Sequence, residues 1–119
     1  MLKRILPWLP ALCWMGLIYY FSGRTGQELK SIFPFIKNFG LGHLPAYFIL
    51  AILFYYALAR TISRGALLWT VLLCLVYGIS DEFHQSFVAS RSAELKDIIV
   101  DLTGAVLAVA LIFYFRKKR

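Results

Sequence analysis

The stretch ALLWTVLLCLVYGISDEFHQSF, residues 66 to 87, decides the fold. It begins as an uninterrupted apolar run, Ala66 to Ile79, and then turns abruptly to Asp81, Glu82, His84 and Gln85. The 14 apolar residues of that run rise only about 21 Å as a helix, short of a hydrocarbon core about 30 Å thick. A membrane helix built on it must therefore extend. Backward extension takes in Arg64, whose long stem can snorkel to the headgroups. Forward extension draws Asp81, Glu82 and His84 to the outer interface.

The same pattern recurs outward along the chain. Ile98 to Phe115 is apolar, carries Asp101 in its first turn and stops at the basic tail Arg116-Lys117-Lys118-Arg119. Phe39 to Ala59 is apolar with one titratable group, His43. Ile5 to Phe21 opens with Pro7 and Pro10, where proline costs a helix least. Its basic start resembles a signal peptide, but Phe21-Ser22-Gly23-Arg24 offers no small-residue cleavage site, so it reads as a retained first span. The spacing predicts an all-α membrane protein, a single domain over residues 1–119 with four transmembrane helices at about 5–22, 39–59, 64–82 and 98–115.

Composition agrees. Of the 119 residues, 61% are hydrophobic and 16% charged, against roughly 45–50% and 25% in soluble domains. The formal charge of +7 could suggest nucleic acid, but the cations sit in clusters flanking apolar runs, which is the signature of membrane flanks. With the N-terminus inside, the cytoplasmic side holds Lys3, Arg4, Arg60, Arg64 and the tail, eight cations and no acid. The other side holds Arg24, Lys30, Lys37, Arg91 and Lys96 with all six acids, so both termini are expected to be cytoplasmic, in a multi-pass protein of the cytoplasmic membrane. Cys13 and Cys74 lie within apolar runs without CxxC spacing and are expected to be buried small hydrophobes. The tryptophans and most tyrosines fall toward helix ends, as interfacial aromatics do.

This arrangement brings His43, Asp81, Glu82, His84, Gln85, Arg91, Asp97 and Asp101 to one side of the membrane. On a helix Asp81, His84 and Gln85 share a face by their i, i+3 and i+4 spacing, as do His43 with Tyr47 and Asp97 with Asp101. Ionisable groups at membrane depth are costly and face the bundle interior or a wet cavity. A polar pocket at the outer face is the resulting expectation. Gly104-x3-Ala108 adds a small-residue stripe suited to close helix packing.

The block Asp81-Glu82-x-His84-Gln85-x-Phe87, followed by Arg91, Asp97, Asp101 and Gly104, resembles the signature of the VanZ-like family. Gly42-His43-x3-Tyr47 and the Phe21-Ser22 end of the first span resemble it as well. Ala89-Ser90 departs from the Pro-Gly common before the arginine, Ala108 replaces a second glycine, and no lysine stands just before His43. The resemblance implies a four-span fold and envelope biology related to resistance to the glycopeptide teicoplanin.

Two readings of the cluster stay open. In the first, His84 is a general base or metal ligand, with Asp81, Glu82, Asp101 and His43 as its partners in catalysis. Arg91 then clamps an anionic group, and Gln85, Asp97 and Tyr47 bind ligand. Two histidines and several carboxylates could hold a divalent metal, although no HExxH-type spacing is present. The partners would be membrane lipids together with a lipid-linked envelope precursor or a glycopeptide, and no nucleic acid. In the second, the protein is a non-catalytic module: Asp81 caps a helix end, Asp97 serves the first turn of the last helix, and the remaining polar groups fix the bundle. A transporter is a weaker third option, because four spans enclose little path.

Overall fold

Long apolar runs bounded by polar flanks have one stable solution in a bilayer, the helix that satisfies its own backbone. The computed structural model describes residues 2–23, 26–32, 34, 43–62, 64–87 and 95–117, and every element among them is helical. Helix α1 spans Leu2–Ser22, with a 3-10 turn at Leu6–Trp8 where Pro7 sits. A short α2, Gly26–Ile32, follows. Then come α3, His43–Thr61, α4, Ala66–Gln85, and α5, Leu95–Lys117. Four of these, all but α2, are long and apolar enough to cross a membrane, so the chain is a multi-pass membrane protein.

The helix ends differ from expectation at informative places. α4 runs on to Gln85 because Asp81, Glu82 and Gln85 are buried on its inner face and need the helix to hold them there. Glu28 stands exposed on α2, in a stretch that hydropathy leaves between spans. Arg24 and residues 39–42 lie outside the described residues.

Helix α3 is central and packs against each of the other three spans. Its inner face is Tyr47, Leu50, Ala51, Phe54, Ala57 and Leu58, at helical spacing. Gly104 on α5 meets the backbone of α3 directly: a Cβ there would clash with the Leu44 carbonyl oxygen and lie 3.2 Å from the Phe48 nitrogen. Ala108, one turn on, is fully buried, so the stripe does face a neighbouring span. Between α3 and α4 the chain turns tightly through Gly65, whose φ of 75° favours glycine.

Helix α4 is built inside out. Its buried residues are Thr70, Cys74, Gly78, Asp81, Glu82 and Gln85. Leu68, Trp69, Leu72, Val76, Ile79 and Phe83 are exposed. In water that distribution would be untenable, and in lipid it is the low-energy one. Threonine hydroxyls at membrane depth bond back to their own helix, as Thr70 does to the Ala66 carbonyl at 2.7 Å.

Two expectations about single residues do not hold. Cys13 is exposed, because the packing face of α1 runs through Ala11, Trp14, Met15 and Ile18. Trp14 is no interfacial anchor: its indole N–H donates to the Ala46 carbonyl at 2.9 Å, tying α1 to α3.

Candidate functional site

The α4 stripe decides where the polar groups can go. Cys74, Gly78, Asp81, Glu82 and Gln85 repeat at three- and four-residue spacing, so they line one face. That face meets the start of α3 and the first third of α5. Tyr47 is completely buried there, and Asp81, Glu82, Gln85 and Asp101 are each no more than 4% exposed.

Gly78 creates the space for Asp101. A Cβ at residue 78 would lie 3.1 Å from Asp101 Oδ2, 3.6 Å from Asp101 Cβ and 3.7 Å from Tyr47 Cε2. The carboxyl group therefore lies directly against the α4 backbone, with the Tyr47 ring beside it. The Tyr47 phenol lies within electrostatic reach of both the Asp81 and Asp101 carboxyl groups. Its ring is 6.1 Å from that of Tyr77, whose hydroxyl donates to the Met15 carbonyl of α1.

His84 belongs to a different face. It lies one heptad beyond Tyr77 and, like Tyr77, turns toward α1. Its imidazole stacks on Tyr19, with centroids 4.0 Å apart and planes 7° from parallel. A Cβ on Gly23 would lie 3.3 Å from His84 Cε1, so the glycine that ends α1 leaves room for the ring edge. The buried Nδ1 of His84 has no hydrogen-bond partner among the described residues. The sequence places His84 beside Asp101, but Gly78, which faces Asp101, lies six residues before His84. That is about 9 Å along the helix and a large rotation around it.

The remaining sequence candidates divide by position. Asp97 is half-buried in the first turn of α5, one turn before Asp101. The backbone of His43 starts α3 one turn before Tyr47, while its side chain, and all of Arg91, lie outside the described residues. Among the described residues, no three of His, Cys, Asp and Glu converge as a metal-holding group. Sequence reasoning missed Tyr19, Gly23 and Gly78. Gly78 had a legible signal, its place in the four-residue repeat from Thr70 through Cys74 to Glu82.

The arrangement offers three carboxyl groups, an amide and two phenols in a setting poor in water, and an imidazole held flat on a ring at the flank. Carboxylates and phenols so placed can accept or donate to a polar headgroup, and a histidine can carry a proton at neutral pH.

Comparison with known proteins bears on the whole bundle. The VanZ/LLP1 family model matches residues 7–116. An uncharacterized protein of Schizosaccharomyces pombe is 36% identical over 78 residues, which is 65% of this chain and 48% of that protein. The chain thus matches about half the length of this curated relative. No solved structure matches the chain.

Proposed function

Because this chain belongs to the VanZ/LLP1 family, we propose that its buried polar cluster receives the headgroup of a lipid-linked or amphipathic molecule of the cell envelope. The observation that carries this reading is the inverted α4, which is polar toward the bundle and apolar toward lipid. Burying Asp81, Glu82 and Asp101 together is expensive, and such expense at membrane depth is the mark of a functional site. The protein sits in the cytoplasmic membrane with both termini inside, an orientation supported by the eight-to-five division of its cations. The cluster then stands at the extracytoplasmic end of the bundle, the side on which envelope precursors are used.

In this account Asp101 and Asp81 hold the polar group, Tyr47 orients it, and His84 exchanges a proton at the flank. Arg91, between α4 and α5 in the sequence, is the candidate anion clamp. The family resemblance connects this to teicoplanin. The test is the inhibitory teicoplanin concentration for a susceptible bacterium expressing the protein. Wild type should raise it, and His84→Ala and Asp101→Asn should not, at equal membrane insertion. Failure of wild type to protect contradicts the glycopeptide link.

One observation favours the alternative of a structural module. Asp101 lies against the backbone at Gly78, with the Tyr47 ring close to the same point, and in this reading it serves only to lock α5 onto α4 and α3.

A further inference from the structure

The opposite end of the bundle has a chemistry of its own. The pairings of Trp8 with Phe54 and of Arg116 with Tyr55 bring the start of α1 and the end of α5 to the end of α3, and α4 starts at Ala66, a few residues after α3 ends at Thr61. Lys3, Arg4, Arg60, Arg64, Arg116 and Lys117 are all exposed at this end, while Asp81, Glu82, Asp97 and Asp101 stand at the opposite ends of α4 and α5.

Two of these cations are more than solvated flanks. The Arg60 guanidinium lies 3.7 Å over the Tyr56 ring centroid while Nη1 donates to the Tyr56 carbonyl at 3.0 Å. Stacking and one hydrogen bond fix the fork and leave its other N–H groups for a ligand. The Arg116 guanidinium lies 6.0 Å from the ring centroid of Tyr55, reaching from α5 to α3. Tyr55 and Tyr56 are adjacent, so two guanidiniums are held on neighbouring faces of the same helix end. A preorganised guanidinium fork at the membrane surface matches a phosphate, and a phosphate at that depth belongs to lipid.

We propose that this basic end is a binding surface for anionic phospholipid, anchored by Arg60 on Tyr56 and Arg116 beside Tyr55. The surface is independent of the polar cluster and of any activity it has.

The test is native mass spectrometry of the full chain in detergent with equimolar phosphatidylglycerol and phosphatidylcholine. Wild type should take up phosphatidylglycerol preferentially and lose the preference as ionic strength rises. Arg60→Ala and Arg116→Ala should each lower it about fivefold. Arg60→Lys should lose part of it, since the charge remains and the fork does not. Lys96→Ala, at the other end, should leave it intact, and millimolar inorganic phosphate should not displace the lipid. Equal uptake of the two lipids by wild type overturns the proposal. So does an unchanged preference in an Arg60→Ala/Arg116→Ala variant of native helical content by circular dichroism, or an equal loss in Lys96→Ala. Displacement by inorganic phosphate would assign the site to the free ion instead.

Discussion

The Asp101 carboxyl group lies against Gly78, so close that a Cβ there would sit 3.1 Å from Oδ2. The contact joins α4 to α5 at the centre of the polar cluster and makes a glycine as much a part of the site as the acid.

It also gives the first prediction. Gly78→Val should destabilise the bundle by about 1–3 kcal/mol through overpacking, read as a lower unfolding midpoint in detergent. Combined with Asp101→Ala, which vacates the contact, the losses should be less than additive. Strict additivity would mean the two residues do not share the space.

Gly104 should be stricter still, because its neighbour is backbone. The Leu44 carbonyl oxygen cannot rotate away as a side chain can, so even Gly104→Ala must force α5 from α3. We expect Gly104→Leu to lower folded yield far more than Leu107→Ala, since Leu107 is half exposed to lipid. Equal yields would place the Gly104 stripe on the lipid side.

The His84–Tyr19 stack makes a spectroscopic prediction. In protein with isotope-labelled histidine, the ring-proton resonances of His84 should be shifted upfield by the Tyr19 ring current. Tyr19→Phe should keep that shift and Tyr19→Leu remove it, at a cost of about 0.5–1.5 kcal/mol for the lost stack. A shift unaffected by Tyr19→Leu would assign the ring another neighbour.

Much of the fold is legible in the sequence itself. Hydropathy marks out the four spans, and the density of Asp81, Glu82, His84 and Gln85 beside one of them marks the candidate site. Spacing assigns residues to faces of their own helix, which is why Gly104 and Ala108 could be paired. It does not say which helix a face will meet. For that reason the stack of His84 on Tyr19 and the exposure of Cys13 are visible only in the packed bundle. Gly78 is legible only as a member of the four-residue repeat through Thr70, Cys74 and Glu82, and Gly23 not at all, because what a missing Cβ makes room for depends on the atom that fills its space.

Orientation has its own test in a variant without Cys13 and Cys74. A cysteine at Glu28, exposed on α2, should react with an impermeant maleimide in intact cells, and one at Lys117 only after permeabilisation. The reverse pattern would turn the polar cluster toward the cytoplasm.

The central claim is that the buried acids serve a ligand and not the bundle alone. Its most direct measurement is lipid mass spectrometry of the protein extracted with its surrounding membrane in polymer nanodiscs, comparing wild type with Asp101→Asn and His84→Ala. The account predicts an amphiphile enriched with wild type over the bulk membrane and lost from both variants while they remain inserted and helical. The double variant should lose no more than either single one, because both residues serve one bound molecule. An identical lipid profile for all four proteins would contradict the account and leave the cluster as internal bracing.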